Sequence, residues 1–188
     1  DDDSIQIKQD CEIEVLASLI DRGHLPFDRR PIDEKILRDD PETISLRGYQ
    51  EQAWERFCET GQIGVYWPPS GGKTYLSLYA GHRVPGRKLV VVPSSTLEDQ
   101  WINKIQEMEL DRSEWEVRTY QYLAREDNIT DYQNENAPEL TIFDECHRLP
   151  ANLFSRLATI DTAHRIGLSA SPYREDGRTE YIFALTGF

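Results

Sequence analysis

The chain of 188 residues is 38% hydrophobic and 29% charged, the balance of a folded globular domain, and it contains no run of about 18 apolar residues that could span a membrane. Thirty-four acids against 21 bases give a formal charge of −13, with 5 lysines against 16 arginines. This excludes a protein coated by nucleic acid, because the surface repels phosphate backbones, and confines any such contact to local loops.

The acidity is uneven. Residues 1–46 carry 13 acids and 6 bases, and residues 47–188 carry 21 and 15, which sets the first quarter apart. An acid-rich, lysine-poor surface also suits a salt-loving host. Asp1-Asp2-Asp3-Ser4 lacks the basic-then-apolar layout of a signal peptide. Cys11, Cys58 and Cys146 form no CxxC pair, so neither a zinc site nor a disulfide framework is expected, and a reducing cytoplasm is the default location.

Residues 1–45 read as an acidic N-terminal extension of undecided form. Ile5, Ile7, Cys11, Ile13 and Val15 alternate as in a strand, while Ile13, Leu16, Leu19 and Ile20 fit a helix. A helix is expected over residues 47–59, with Tyr49, Ala53, Trp54, Phe57 and Cys58 on one face and Gly61 as its stop. Residues 62–66 read as a short strand, followed by Trp67-Pro68-Pro69-Ser70-Gly71-Gly72 and a helix from Lys73. Residues 88–92 (KLVVV) are a continuous apolar run, as in a strand buried on both faces, and Pro93 ends it. Ser95 and Glu98 form a capping box for the next helix, whose buried stripe is Leu97, Trp101, Ile105 and Met108.

Two further strands are expected at 116–120 and 140–143, with a polar surface loop at 127–138 between them. A helix at 151–160 and a strand at 165–169 follow, and no terminal helix is expected before the chain stops at Gly187-Phe188, as if cut from something longer. Strand–helix alternation of this kind predicts an α/β fold with a doubly wound parallel sheet over residues 46–188.

Two stretches carry chemistry. The strand at 62–66, the glycine-containing loop at 67–72 and a helix opening with Lys73-Thr74 make the layout of a phosphate cradle. Backbone N–H groups of Ser70, Gly71 and Gly72 and of the helix start would face phosphate oxygens, Lys73 would reach the β and γ phosphates, and the Thr74 hydroxyl would hold Mg²⁺. The strict phosphate-loop pattern has glycine where Trp67 stands, and Pro69 has no N–H to donate. Asp144-Glu145-Cys146-His147 follows an apolar strand, so its acids sit at the strand's carboxyl end, where open α/β sheets bind ligands. Asp144 would hold Mg²⁺, and Glu145 would orient and deprotonate an attacking water. Cys146, with no second cysteine nearby, is read as a small packing residue.

Five ordered stretches resemble the motifs of the first RecA-like domain of superfamily 2 helicases. They are Leu46-Arg47-Gly48-Tyr49-Gln50, the Lys-Thr loop, Val91-Val92-Pro93-Ser94-Ser95-Thr96-Leu97, the Asp-Glu-Cys-His box and Gly167-Leu168-Ser169-Ala170-Ser171-Pro172. Tyr173-Arg174-Glu175-Asp176-Gly177 is similar to the Arg-Glu-Asp element of XPB-type DNA helicases, archaeal ones especially. The resemblance implies ATP as the nucleotide, with Arg47 and Gln50 contacting adenine, and residues 70–74 with Asp144 and Glu145 binding and hydrolysing MgATP. It implies that His147, Ser169 and Ser171 couple hydrolysis to movement. It assigns DNA contact to Pro93, Ser94, Ser95, Thr96, Thr119, Tyr120 and Gln121, and duplex engagement to Arg174, Glu175 and Asp176. Residues 1–45 would then be either the remnant of a DNA-recognition domain or a strap across the domain. The motifs depart from the family pattern at Cys146, at Ser-Ala-Ser in place of Ser/Thr-Ala-Thr, and at Ser70 and Pro69 in the loop.

The implied activity is an ATP-dependent DNA helicase or translocase, in repair or transcription, whose second RecA-like domain supplies the arginine fingers. An isolated first domain would therefore turn ATP over poorly. Two alternatives use the same motifs: the motor subunit of a restriction system, with a nuclease partner, and a nucleotide-switched module that opens DNA without travelling. No membrane contact is expected.

Overall fold

The computed structural model describes residues 30–125, 136–148, 160–171 and 179–186, together with Val15, Ser18, Leu19, Arg22, Asn128, Tyr132, Leu157 and Tyr173. Five strands form one sheet: β1 (Gln62–Tyr66), β2 (Lys88–Val92), β3 (Trp115–Thr119), β4 (Leu140–Asp144) and β5 (His164–Ser169). Their spatial order is β1-β5-β4-β2-β3, and every pairing is parallel. The strands lie within one or two residues of their expected limits.

The helices are α1 (Gly48–Thr60), α2 (Lys73–Arg83), α3 (Ser95–Glu107), α4 (Tyr120–Leu123) and α5 (Glu180–Thr186). Gly61 ends α1 in the left-handed conformation at φ 70°, its N–H returning to the Phe57 carbonyl. Glycine adopts that conformation without the Cβ clash other residues meet. The first turn of α3 differs from the expectation. Ser94, not Ser95, is the N-cap, and its hydroxyl accepts the Leu97 N–H. The chain is still extended at Ser94 (φ −150°, ψ 158°), which is the backbone an N-cap requires. The terminal helix α5, absent from the sequence expectation, packs on β5 and β1.

Strand alternation splits the core into two. On one face Val90, Val92, Ile142, Ile166 and Leu168 pack with Phe57, Leu76, Trp101 and Ile105 of α1–α3. On the other, Leu89, Val91 and Phe143 pack with Tyr120, Leu123, Tyr181, Ile182 and Leu157. Consecutive residues of β2 thus serve opposite cores, which is why that strand reads as unbroken apolar sequence. Cys146 is fully buried in the second core, the packing position expected of it. Within the expected loop at 127–138, Tyr132 is buried and its hydroxyl donates to Glu116 at 2.9 Å, so this residue belongs to the core.

Residues 30–45 lie along the outside of α1 and α2. The Arg30 and Ile32 amides donate to the Thr60 and Cys58 carbonyls, and the Arg38 amide donates to the Arg83 carbonyl. Ile32 and Ile44 are buried in the first core. Arg38 and the buried Lys88 both bind Glu114, at 2.5 and 2.6 Å, which ties this stretch to the sheet.

Candidate nucleotide site

All five strands point their carboxyl ends the same way, so the loops after β1, β2, β3 and β4 gather at one edge of the sheet. A cleft of about 620 Å³ opens there, lined among others by Arg47, Gln50, Gly72, Lys73, Thr74 and Asp144. The two stretches that carry chemistry in the sequence are therefore brought to one place by the parallel sheet.

The loop after β1 is braced by α1. Gln50 is buried, its side-chain carbonyl accepting the Arg47 N–H at 2.9 Å and its amide donating to the Gly72 carbonyl at 3.0 Å. Tyr49 donates to the Gly71 carbonyl at 3.0 Å and meets Trp67 edge-on at 4.9 Å. The exposed Arg47 guanidinium donates to the Tyr49 hydroxyl at 3.3 Å. Tyr49 shares a helix face with Ala53, Trp54 and Phe57, and at 42% exposure it serves the loop. Gly72, at φ 79°, begins α2, and a Cβ there would lie 2.4 Å from the Gln50 amide nitrogen. The left-handed backbone favours glycine here, and a Cβ would also displace the Gln50 amide.

Lys73 donates to the Trp67 carbonyl at 2.7 Å and to that of Pro68 at 3.3 Å, which holds its ammonium over the loop. Across the cleft, Asp144 ends β4 on the face that carries Leu140 and Ile142. Its Oδ2 accepts the Trp101 indole N–H at 2.8 Å, and its main-chain carbonyl accepts the Tyr120 hydroxyl at 2.8 Å. Burial raises the Asp144 carboxyl above its usual range, with the Trp101 bond acting in opposition. Glu145 turns the chain out of the strand at φ 50°, a conformation that costs a non-glycine residue on the order of 1–3 kcal/mol. An ammonium, glycine-lined backbone and a poorly solvated carboxylate fit a magnesium-bound polyphosphate, whose cation would relieve the carboxylate's burial.

Beyond Glu145 the chain reaches β5. The His147 Nδ1 lies 2.8 Å from the Ser169 Oγ and 3.3 Å from the Glu145 carboxylate. Ser169 also accepts the Ser171 N–H at 3.1 Å and donates to the Ser171 carbonyl. The Ser171 hydroxyl accepts the Tyr173 N–H at 3.1 Å. The three residues expected to act together thus form one hydrogen-bonded chain.

Residues 93–96 and 119–121 adjoin, because Val92 pairs with Thr119 at the ends of β2 and β3. Ser94, Ser95, Thr96 and Gln121 are exposed, and Pro93 is half-buried. Thr119 caps α4, its hydroxyl accepting the Tyr122 N–H at 3.2 Å. Tyr120 departs from its expected place. It is 5% exposed and its hydroxyl is fixed on Asp144, so its side chain packs in the core and does not face a surface where DNA could lie. Arg174, Glu175 and Asp176 lie outside the described residues. Trp101 is the site residue that sequence reasoning missed, having been read only as part of a buried stripe. The signal was the indole N–H, a donor that needs a partner when buried.

The order and one-way direction of the strands, with the phosphate-loop layout at their carboxyl ends, give the RecA-like α/β fold that superfamily 2 helicase domains carry. The fold matches that of the UvsW helicase from bacteriophage T4, with a TM-score of 0.64 and 15% identity, over 96% of this chain and 77% of that one. In sequence, the chain is 30% identical to the putative DNA 3'-5' helicase Rad25 of Haloarcula marismortui, over 96% of this chain and 31% of that protein. It is also 30% identical to the DNA 3'-5' translocase XPB2 of Sulfurisphaera tokodaii, over 94% of this chain and 39% of that protein. The chain thus spans about a third of the length of these curated relatives. The model of the family described as the type III restriction enzyme res subunit matches residues 43–174, and the chain belongs to that family.

Proposed function

We propose that residues 46–188 are the ATP-binding RecA-like half of an ATP-dependent DNA helicase or translocase of the XPB type, acting in the cytoplasm in repair or transcription. The observation that carries this reading is the meeting of Lys73, Thr74 and Asp144 in one cleft at the carboxyl ends of parallel strands. Gly71, Gly72 and the first turn of α2 would receive the phosphates with their amides, and Lys73 would leave the Trp67 carbonyl for them. Arg47 and Gln50 would meet adenine, Gln50 also holding the loop to α1. Thr74 and Asp144 would hold Mg²⁺, which supplies neutralisation of charge between the β and γ phosphates. Glu145 would orient and deprotonate water, and His147, Ser169 and Ser171 would pass its state to β5. Ser95 and Thr96, on the exposed first turn of α3, would take a DNA phosphate without a basic surface. Residues 30–45 would act as a strap, and a second RecA-like domain would supply the arginine finger.

The test is ATP turnover by the intact protein without nucleic acid, with DNA and with RNA, using Asp144→Asn as the blank. Stimulation by DNA alone is expected, with loss of turnover in the variant. Equal stimulation by RNA, or by neither, would sink the DNA-motor reading. The family match favours one second reading, the motor of a restriction system. ATP-dependent cleavage of DNA with a nuclease partner present would move the weight there.

A further inference from the structure

Trp101 stands apart among the residues around the cleft. It belongs to α3, it is 3% exposed, and its ring sits in the first core beside Ile105. Packing alone would be served by phenylalanine or leucine. Its indole N–H, however, donates to the Asp144 Oδ2 at 2.8 Å, a buried bond to a carboxylate from a helix 43 residues away in sequence. An ionised carboxylate offers about four lone-pair positions, and a fixed donor on one of them removes the freedom of the others to rotate. A bond to an ionised acceptor in a poorly solvated place is about twice as strong as a neutral one.

We propose that Trp101 is a positioning residue for Asp144, setting the orientation in which that carboxylate receives the nucleotide's divalent cation. The proposal rests on the reading of Asp144 given above. Rigidity explains why the donor is an indole. Trp101 is locked by core contacts, and the Tyr120 hydroxyl holds the main-chain carbonyl of the same aspartate from the opposite face of the sheet. Side chain and backbone of Asp144 are thereby fixed independently. Partners of this kind, bound to a metal-holding group, typically contribute 10- to 100-fold to metal affinity.

The experiment measures binding of a fluorescent ADP analogue to the intact protein, in EDTA and across a Mg²⁺ titration. The proteins compared are the wild type, Trp101→Phe, Trp54→Phe and Asp144→Asn. Trp101→Phe keeps a ring in the core and deletes the donor. Its Mg²⁺-dependent gain in affinity should fall about tenfold, while binding in EDTA stays within about twofold, as expected for a group that acts through the carboxylate. Trp54→Phe, whose ring packs on Phe57 and Tyr79, should respond to Mg²⁺ as the wild type does.

A wild-type Mg²⁺ response in Trp101→Phe, with that response lost in Asp144→Asn, overturns the role of Trp101 and leaves the site reading standing. Equal weakening of Trp101→Phe with and without Mg²⁺ marks a packing role and also overturns the proposal. Retention of the Mg²⁺ response in Asp144→Asn defeats the site reading itself. Should Trp101→Phe not fold, the wild type still decides through its indole N–H resonances. One should shift when Mg²⁺ is added to the nucleotide complex, and the absence of any such shift overturns the proposal.

Discussion

Three of the described non-glycine residues hold a left-handed backbone: Glu109, just after α3, and two more beside the chemistry. Ser70 and Glu145 have φ of 64° and 50°, in the left-handed region, and both belong to stretches picked out for their chemistry. Left-handed backbone costs an L-residue roughly 1–2 kcal/mol, and the freer unfolded state of glycine returns part of that on substitution. Ser70→Gly should therefore raise unfolding stability by about 0.5–1 kcal/mol, seen as a higher urea midpoint at unchanged slope. A lower midpoint would mean that the serine side chain contributes more than its backbone costs. Sequence marked Ser70 as a departure from the family's glycine. Nothing in the sequence marked the left-handed backbone of Glu145, because its φ follows from how the chain leaves β4 towards His147. The chemistry of Lys73 and Asp144 was legible from residue type and spacing, whereas the indole on Asp144 needed α3 to be placed across the sheet.

Among the elements, the strands were the most legible and α5 the least. Each strand is announced by a short β-branched or apolar run between turn residues, and the parallel sheet leaves few other arrangements for such runs. The sequence of α5, EYIFALT, is seven residues of mixed character, and its helix depends on what it lies against. That contact is tight. A Cβ on Gly167 of β5 would fall 2.3 Å from the Thr186 Cγ2, so the glycine admits the helix onto the sheet. Gly167→Ala should push α5 outward and destabilise the protein by about 1–3 kcal/mol, the usual range for overpacking a filled core. Urea unfolding reads the loss. A neutral result would show that α5 shifts at no cost and does not seal the second core. The start of α3 teaches the same lesson at finer grain. Two adjacent serines both suit an N-cap, and the extended backbone leaving β2 selects Ser94.

At the scale of the whole molecule, one ionic cluster joins three segments distant in sequence. Glu114 precedes β3, Lys88 begins β2 and Arg38 belongs to the stretch packed outside the helices. The Arg38 hydrogen bond, aided by Lys88, pulls the Glu114 carboxyl from its ordinary 4.5 down to about 2. The folded state therefore binds this proton more weakly than the unfolded chain does. The stabilisation is fully present above pH 4.5 and is lost as pH falls towards 2. Glu114→Gln should flatten the acid side of the stability profile in that window. At pH 7 it should cost about 1–3 kcal/mol, because it leaves the buried Lys88 ammonium without its counter-charge in a partly solvated cluster. Unfolding midpoints at pH 7 and at steps from pH 4.5 down towards 2 test both statements, and an unchanged acid profile would assign the acid sensitivity to other carboxylates.

The parallel α/β class, the strand positions and the residues whose chemistry suits a magnesium-bound phosphate are all legible in the amino-acid order. Local patterns carry that information: apolar period, turn residues, and functional groups at fixed spacing. The tertiary structure alone decided that Tyr120 packs inward under Asp144, that Trp101 holds the same carboxylate and that Gln50 braces the phosphate loop. It also decided that residues 30–45 lie along α1 and α2. Each of these joins groups more than 20 residues apart. Only the crossing of helices over an open parallel sheet sets such distances, and no local pattern in the chain encodes them.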